Sequence, residues 1–343
     1  MRLSIFVSLS TALLLNTTFI NASATELLDV SEPEKIPIID SSVEENFLIS
    51  NDGISSRLLR IESTHEQRQI DSAEPLLEFN LGNDDFQALI KNLDLHDSKE
   101  ESERGVFIND EPEVLRALEQ NEDIAKRVIG PDLRQRLYTS KYPARATVLI
   151  KTETSSGVTK RCSGAMVSKN TVLTAGHCIT NNRLWRNNVR VFPGQDDNAS
   201  PYGMCTAKNL ITNSRWFYHN DSNYDYALIK LSCNVGYSTG WYGVSTTYPN
   251  GYPSVVQGYP SKISLRGEQY LSADKVRSVS SRRIYYQNDT TGGMSGSPVW
   301  TEISRNGPYI IGVHFAGGSS YNLGTRINSE VFNIIRYSID NFN

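Results

Sequence analysis

Three short segments carry the residue types of a serine nucleophile, its base and an orienting carboxylate. His177 lies in the run TAGHC, Asp225 opens the run DYAL, and Ser295 lies in the run GGMSGSP. A serine hydroxyl is a good nucleophile only when a base takes its proton, and a histidine does this near neutral pH. A carboxylate orients the ring and stabilises the imidazolium. The three residues therefore predict acyl-transfer chemistry at Ser295.

Each of these assignments has a competitor. Asp221 is a second carboxylate close to Asp225, and Ser297 is a second serine in the loop of Ser295. The Gly-x-Ser-Gly pattern favours Ser295 over Ser297 as the nucleophile. His177 could instead be a packed histidine beside a cysteine, and Asp225 a surface turn residue. The order His, Asp, Ser with gaps of 48 and 70 residues favours catalysis over these alternatives.

Residues 292–298, called the serine loop below, also predict the hydrogen-bond donors that stabilise a tetrahedral intermediate. Gly293 allows the loop to bring the backbone N–H groups of Gly293 and Ser295 to one point. Losing one such donor typically raises the reaction barrier by about 3–4 kcal/mol. We therefore expect an oxyanion hole formed by the main chain of these two residues.

The elements that hold these residues are predicted to be short strands. After residue 127, runs rich in β-branched and aromatic residues alternate with Gly, Asn and Pro, which is typical of an all-β sandwich or barrel. All four cysteines and all four tryptophans lie in this part of the chain. The predicted strands cover residues 147–151, 171–174, 189–192, 226–231, 255–258 and 308–314.

Charge divides the chain into two parts. Residues 25–127 contain 26 Asp and Glu against 10 Lys and Arg, whereas the remainder after this segment contains 12 against 23. The acidic segment has helix-like stretches at 84–95 and 112–128, and it ends at the dibasic pair Lys126 and Arg127. Opposite net charges favour docking, so we interpret it as a propeptide rather than a solvated, partly disordered arm.

The N-terminus has the pattern of a secretory signal peptide. A basic start is followed by an apolar stretch at residues 5–15 and by small residues before a cut after Ala24. Residues 1–24 are therefore predicted to be removed on export, to the extracellular space or the periplasm; a buried N-terminal helix is the alternative. No apolar run reaches the roughly 18 residues of a spanning helix, so we expect no membrane attachment after signal removal.

The three catalytic segments resemble the signatures of chymotrypsin-like (trypsin-like) serine endopeptidases, and most of all those of bacterial glutamyl endopeptidases. The resemblance implies an all-β fold of two antiparallel β-barrels, with a triad of His177, Asp225 and Ser295 in the cleft between them. It also implies a C-terminal helix near residues 329–341, for which the Ser329 hydroxyl is a candidate N-cap. The resemblance covers residues 128–343, with barrels at about 128–240 and 241–343, and rests on DTTGGMSGSPV at 289–299, IGVHFAGG at 311–318 and VIGPD at 128–132.

The resemblance also implies how the cysteines pair. The family has a disulfide at the place of Cys162 and Cys178, which leaves Cys205 and Cys233 as the second pair. Export to an oxidising compartment agrees with two disulfides. A zinc site is less favoured because no Cys-x-x-Cys spacing is present. We expect neither a metal nor a cofactor.

Substrate preference is where the residues conflict. In glutamyl endopeptidases, residues matching Thr290 and His314 bind the substrate glutamate, assisted by the freed amine, here that of Val128 after a cut at Arg127. A hydroxyl, an imidazole and an ammonium all donate to a carboxylate. Asp289 stands where trypsins place the carboxylate that binds Arg or Lys. We expect glutamate preference with Asp289 turned away or hydrogen-bonded, and keep cleavage after Arg or Lys, with Asp289 in the pocket, as the alternative.

Activation is expected to differ from that of mammalian relatives. They often carry an Asp where this chain has Met294, and that Asp pairs with the freed N-terminal amine. Met294 has no charge with which to form this ion pair. We therefore do not expect activation by that route.

A second hypothesis is a non-catalytic protein that binds anionic polymers on the same scaffold. Arg277, Arg282 and Arg283 form the basic cluster on which it depends, although a solvated charged face is the favoured explanation of such a cluster, because salt screens such patches. The sequence does not show the interleaved aromatic and basic residues that would predict nucleic-acid recognition. The expected partners are protein or peptide substrates, and the chain's own propeptide as an intramolecular partner.

Overall fold

The protein is described from a computed structural model, which covers residues 48–51, 69–70, 126–127, 129, 132–247, 251–302, 308–318 and 320–342. By internal contacts the chain divides into residues 1–44 and 45–343, and the first unit lies outside the described residues. The predicted signal peptide and the helix-like stretch at 84–95 also lie outside them. Of the stretch predicted as helical at 112–128, only Lys126 and Arg127 are described, and the prediction is wrong there because they form a strand.

Short strands dominate the described residues. Four precede residue 140: β1 (Leu48–Ser50), β2 (Gln69–Ile70), β3 (Lys126–Arg127) and β4 (Gln135–Leu137). The next eight are β5 (Thr147–Glu153), β6 (Thr159–Ser168), β7 (Thr171–Thr174), β8 (Thr180–Asn181), β9 (Leu184–Trp185), β10 (Asn187–Pro193), β11 (Cys205–Asn213) and β12 (Ala227–Leu231). The last eight are β13 (Gly243–Ser245), β14 (Pro253–Gly258), β15 (Gln269–Val279), β16 (Arg283–Tyr286), β17 (Thr290–Thr291), β18 (Pro298–Glu302), β19 (Pro308–Gly317) and β20 (Asn322–Arg326). All six strands predicted from sequence are present, with ends that differ by up to three residues.

Helical elements are short apart from the last one. They are a 3₁₀ turn (Ala144–Ala146), α1 (Gly176–Ile179), α2 (Ser214–His219), a second 3₁₀ turn (Ser222–Tyr224), α3 (Gly236–Thr239) and α4 (Ser329–Asn341). None of the helices in the described part of the chain combines the length and the apolar run that a membrane crossing needs.

The first barrel is a closed antiparallel sheet of six strands. Its order is β11-β10-β5-β6-β7-β12, and β12 pairs back onto β11. Strands β5 and β7 are buried along most of their length, and Val148, Ile150 and Val172 are fully buried. Strands enclosed on both sides in this way read as continuous hydrophobic runs rather than as an alternating pattern.

The second barrel closes in the same manner. Its order is β18-β14-β15-β16-β20-β19, and β19 pairs back onto β18. Val256, Ile284, Val299 and Ile311 pack in its core together with Met294. Met294 is fully buried there, which explains an apolar residue directly before Ser295. The predicted fold of two antiparallel β-barrels followed by a C-terminal helix is therefore confirmed.

The C-terminal helix begins and ends where the sequence predicts, but the predicted cap is wrong. Helix α4 spans Ser329–Asn341, and the Asn328 side chain accepts a hydrogen bond from the Val331 N–H at 3.0 Å. Asn328 has extended backbone angles, as an N-cap requires, whereas Ser329 is already helical. The extended backbone of Asn328 therefore makes this residue, one position before the predicted Ser329, the N-cap.

Residues of the acidic segment extend both sheets. Strand β1 pairs antiparallel with β11, and Leu48 is 2 % exposed within the core cluster that contains Ile211. Strand β2 pairs with β13 beyond the edge of the second barrel, and β3 pairs with β17 beside the serine loop. An added edge strand satisfies backbone N–H and C=O groups that the barrel edge would otherwise expose.

Candidate active site

Strand pairing brings His177 and Asp225 together. His177 lies in α1, directly after β7, and Asp225 directly precedes β12. Strands β7 and β12 are antiparallel, with Thr174 opposite Ala227. The end of one strand therefore lies beside the start of the other, which explains how residues 48 positions apart meet.

The contact between the two side chains is short and buried. Asp225 Oδ2 lies 2.7 Å from His177 Nδ1, and Asp225 Oδ1 accepts a hydrogen bond from the His177 backbone N–H at 3.0 Å. Asp225 is 2 % exposed. The competitor Asp221 instead accepts from the Asn223 N–H and pairs with Arg215 at 3.4 Å. Asp225, and not Asp221, is the carboxylate bonded to the histidine.

The second barrel fixes the segment that carries Asp225. The Thr325 hydroxyl, on β20, donates to the Asp225 carbonyl oxygen at 3.0 Å. Arg283, on β16 and 1 % exposed, donates to Asn223 Oδ1 at 2.9 Å and to Ser222 Oγ at 2.7 Å. Both contacts cross from one barrel to the turn before β12, so the position of Asp225 depends on how the barrels are joined.

The environment of His177 favours its protonated form. Burial lowers the pKa of the imidazole, but the charge and hydrogen bond of Asp225 outweigh burial, and the pKa lies above its usual value near 6.5. The side chain remains about one-third exposed, at 34 %, so part of the ring faces solvent. Trp216 meets the ring edge-on at 6.3 Å. A base with these properties is accessible from one side and oriented from the other.

Ser163 holds the serine loop in place. Its N–H donates to the Ser295 carbonyl oxygen at 2.8 Å, and its hydroxyl donates to the Gly293 carbonyl oxygen at 2.8 Å. The same hydroxyl accepts from the Tyr259 N–H at 2.8 Å. Cys178, next to His177, has its sulfur 3.6 Å from the Ser295 carbonyl oxygen. These contacts bring the segments of His177 and Ser295 to one place.

The conformation of the loop requires glycine at two positions. Gly293 has φ of +94° and Gly296 has φ of +83°. A Cβ on Gly293 would lie 2.6 Å from the Tyr259 carbonyl oxygen, so a side chain there would force the loop to move. Within the described residues, the N–H groups of Gly293 and Ser295 have no acceptor. These two N–H groups belong to the same turn, and donors placed in this way suit an anionic oxygen.

Burial separates the two serines of the loop. Ser297 is fully buried, and its N–H donates to the Met294 carbonyl oxygen at 2.9 Å. Ser295 is partly exposed. Only Ser295 is therefore placed to meet a substrate.

The predicted pocket residues lie on strands bonded to this loop. The His314 carbonyl oxygen accepts from the Gly296 N–H at 2.7 Å, and the His314 N–H donates to the Ser297 carbonyl oxygen at 2.9 Å. The His314 ring is held by the Tyr286 hydroxyl, 2.8 Å from Nδ1. Burial raises the pKa of Tyr286 well above its usual value, so the phenol stays protonated. Thr290 is fully buried, and its hydroxyl has no partner within the described ranges.

Asp289 is hydrogen-bonded to the main chain. Its Oδ1 accepts from the Ile129 N–H at 3.0 Å and its Oδ2 from the Leu133 N–H at 2.7 Å. Burial raises the pKa of this carboxyl group, and the two amides act in the opposite direction. Val128, predicted to supply the freed amine, lies outside the described residues.

Several residues of the site were missed from sequence. Ser163, Tyr286, Arg283 and Thr325 each act through hydrogen bonds to residues distant in sequence, which only the folded barrels bring into contact. Only Ser163 carries a local signal, because it adjoins Cys162, which is bonded to Cys178 beside the histidine. Serine, threonine and tyrosine are too common in strands for sequence to single them out.

Comparison with known proteins assigns the family. The model of the trypsin family matches residues 136–335. The chain belongs to the trypsin family. It is a serine endopeptidase, and its substrates are proteins or peptides.

Relatives with curated names agree on proteolysis. The chain is 38 % identical over 216 residues to an extracellular metalloprotease of Bacillus subtilis, covering 61 % of this chain and 69 % of the relative. It is 37 % identical over 219 residues to a glutamyl endopeptidase of Bacillus licheniformis, covering 60 % and 67 %. A solved structure of a Glu endopeptidase superposes with a TM-score of 0.57 at 26 % identity, covering 62 % of this chain and 98 % of the other.

The name of the Bacillus subtilis relative raises the question of a metal. Within the described part of this trypsin-family chain, the group of potential ligands that lie close together is Cys162, His177 and Cys178. The two sulfurs are bonded to each other, and His177 Nδ1 is bonded to Asp225. Disulfide sulfurs are not the thiolates that zinc takes, so these residues do not fit a metal site.

The second disulfide joins Cys205 and Cys233, and both expected pairings are present.

The basic cluster does not form a free cationic surface. Arg277 pairs with Asp274 at 2.6 Å and Arg282 with Glu330 at 2.8 Å. Arg283 is buried against the turn before Asp225. The cluster on which the anion-binding hypothesis depended is therefore largely neutralised or buried.

The pH dependence of activity tests the bond between Asp225 and His177. Asp225→Asn removes the charge that raises the pKa of His177, while burial, which lowers it, remains. Because only the neutral imidazole accepts a proton, the acid limb of kcat/KM should lie above pH 6.5 in the parent and move to lower pH in the variant. We expect kcat to fall by about 10⁴-fold, as in other triads.

Asp221→Asn is the matched control, because Asp221 lies four residues away on the same turn. Its acid limb should coincide with that of the parent. An unmoved limb in Asp225→Asn, measured with a peptide substrate across pH 5–9, would contradict the assignment.

Proposed function

We propose that this protein is an exported serine endopeptidase, made as a zymogen, that cleaves after glutamate through a triad of His177, Asp225 and Ser295. The observation that carries the proposal is the buried 2.7 Å bond between Asp225 Oδ2 and His177 Nδ1. In this bond Nδ1 is the donor, so Nε2 remains as the basic atom of the ring. The N–H groups of Gly293 and Ser295, which have no acceptor among the described residues, support the same chemistry.

The first half of the reaction forms an acyl-enzyme. Ser295 Oγ attacks the carbonyl carbon of the scissile bond while His177 Nε2 takes the hydroxyl proton. The carbonyl oxygen becomes an oxyanion, which the N–H groups of Gly293 and Ser295 stabilise. The imidazolium, stabilised by Asp225, then donates its proton to the leaving nitrogen, and the C–N bond breaks.

Water completes the cycle by the same steps. His177 Nε2 takes a proton from water as the oxygen attacks the acyl carbon, and a second oxyanion forms in the same place. The bond to Ser295 Oγ breaks as the imidazolium returns the proton to that oxygen. A peptide bond and one water give an acid and an amine, and the enzyme is regenerated.

Three features support a preference for glutamate. The buried Thr290 hydroxyl needs a hydrogen-bond partner, and a substrate carboxylate supplies one. When the Tyr286 hydroxyl donates to Nδ1 of a neutral His314, the ring proton lies on Nε2, which can then donate to the same carboxylate. Asp289 is already bonded to the Ile129 and Leu133 amides, which disfavours its use as a pocket anchor for Arg or Lys. The curated relatives include glutamyl endopeptidases.

The acidic segment is proposed to be the propeptide. Residues 128–343 contain 23 Lys and Arg against 12 Asp and Glu, and residues 25–127 carry the opposite excess. Strand β1 buries Leu48, and Asn51 exchanges hydrogen bonds with Leu210, at 3.1 Å through its N–H and at 2.8 Å through Oδ1. Export rests on the signal-like residues 1–24 and agrees with two disulfides.

Replacement of the two serines of the loop tests the nucleophile. Ser295→Ala should lower peptide hydrolysis by roughly six orders of magnitude and abolish labelling by a serine-directed phosphonate. Ser297→Ala should retain both, because Ser297 is fully buried. Hydrolysis by a folded Ser295→Ala protein would end the assignment and point to another nucleophile. A parent protein that neither hydrolyses peptides nor reacts with the phosphonate would instead favour the binding-protein hypothesis.

Replacement of pocket residues tests the glutamate preference. Thr290→Val keeps the shape and removes the hydroxyl, so kcat/KM should fall roughly 10- to 100-fold on a glutamate peptide and change little on an alanine peptide. His314→Ala should show the same selectivity. Because the Thr290 hydroxyl has no partner among the residues that the structure describes, Thr290→Val should not lower thermal stability. A parent enzyme that cleaves only after Arg or Lys would instead favour Asp289 as the anchor.

Stability measurements test the docking of the propeptide. In the full chain carrying Ser295→Ala to stop self-cleavage, Leu48→Ala should lower the free energy of unfolding by about 2–5 kcal/mol, since Leu48 is buried in the core. Ile49→Ala, on the opposite and more exposed face of the same strand, should cost much less. Equal effects in urea unfolding would contradict docking through Leu48.

A further inference from the structure

Asp289 receives two backbone hydrogen bonds from a distant segment of the chain. The donors are the N–H groups of Ile129, 160 positions away, and Leu133, 156 positions away. Asp289 is 3 % exposed, and its own N–H donates to Ser272 Oγ at 2.7 Å. Hydrogen bonds to a buried carboxylate are among the stronger ones in proteins. Asp289 therefore fastens Ile129 and Leu133 to the segment that leads to Ser295.

This attachment lies directly beside the predicted maturation cut. Strand β3 pairs with β17 so that Arg127 lies opposite Thr290 and Lys126 opposite Thr291. The chain is thus bonded to the segment 289–291 on both sides of the bond after Arg127. Thr290 is five residues before the nucleophile and fully buried in this arrangement. A cut after Arg127 would therefore separate the strand pair of β3 and β17 from the hydrogen bonds that Asp289 accepts.

The two attachments differ in strength once the chain is cut. The pairing of β3 and β17 covers only two residues, and short isolated strand pairs are marginal in water. The Asp289 contacts are buried and charge-assisted. Cleavage after Arg127 should therefore release Lys126 and Arg127 while Ile129 and Leu133 stay bonded to Asp289.

We propose that Asp289 is a positioning residue that holds the new N-terminal segment, through the Ile129 and Leu133 amides, against the segment carrying Thr290. It fixes the chain within one residue of the amine freed at Val128, because consecutive Cα atoms are about 3.8 Å apart. Met294 is buried among apolar side chains of the second barrel and offers no carboxylate. Asp289 precedes Gly292 and Gly293 in the chain, and it supplies the carboxylate that binds the N-terminal segment.

Amide hydrogen exchange tests the attachment independently of activity. In the full chain carrying Ser295→Ala, the Ile129 and Leu133 amides should exchange slowly, and Asp289→Asn should accelerate both at least about tenfold. Asp274→Asn is the matched control. Asp274 is also a buried carboxylate of the second barrel, and it accepts a backbone bond from Gln287 at 2.6 Å.

Acceleration confined to Asp289→Asn supports the proposal. Unchanged exchange in Asp289→Asn, or equal acceleration in Asp274→Asn, overturns it. Should Asp289→Asn fail to fold, Leu133→Pro removes one donor from outside the barrel, with Leu133→Ala keeping the N–H as its control. Leu133 is 46 % exposed, so neither change disturbs the core.

Kinetics of the matured protein test the positioning role, which rests on the proposed zymogen. After limited cutting at Arg127 by added trypsin, confirmed by mass, Asp289→Asn should raise KM at least about tenfold on a glutamate peptide while kcat changes less than about threefold. An unchanged KM overturns positioning. An equal rise on an alanine peptide supports positioning and counts only against the glutamate preference, so the two proposals fail separately.

Discussion

The buried hydrogen bond between Asp225 and His177 is the interaction on which the rest of this structure depends. A carboxylate that is 2 % exposed must be compensated, and here two N–H groups of His177 do so. Its position is fixed from the second barrel by Thr325 and, through the preceding turn, by Arg283. The two barrels, which share a large cluster of buried apolar side chains, are thereby coupled at the proposed catalytic pair.

The serine loop follows from the same requirement for rigidity. Ser163, on the first barrel, binds the carbonyl groups of Gly293 and Ser295, and β19 of the second barrel binds Gly296 and Ser297. Carbonyl groups fixed on one side turn the intervening N–H groups to the other. Donors that are rigid before the substrate arrives need no reorganisation during the reaction, and this is where most electrostatic stabilisation of an oxyanion originates.

The acidic segment and the N-terminal segment meet the barrels in different ways. Strands β1 and β2 extend sheet edges, whereas Ile129 and Leu133 are fastened to a single buried carboxylate. Edge pairing is sequence-tolerant and reversible, which suits a segment proposed to be removed. A buried carboxylate is costly unless both its oxygens are bonded, which suits a contact that is kept. Asp289 could have been a pocket anchor for Arg or Lys or a hydrogen-bonded structural residue. Its bonds to the Ile129 and Leu133 amides favour the second role.

Sequence alone determined the fold class and the class of enzyme. The types and order of the runs that contain His177, Asp225 and Ser295 single these residues out as the proposed triad, the strands follow from β-branched runs between turn residues, and Cys162 pairs with Cys178 as the family resemblance implies. It misplaced the cap of α4 on Ser329 and extended a helix into Lys126 and Arg127, because helix ends depend on backbone angles and pairing partners that local pattern does not specify. Tertiary structure decided which carboxylate binds the histidine, what Asp289 contacts, and that Ser163, Tyr286 and Arg283 matter. Each of these depends on hydrogen bonds between residues far apart in the chain, and such bonds exist only once the barrels have closed.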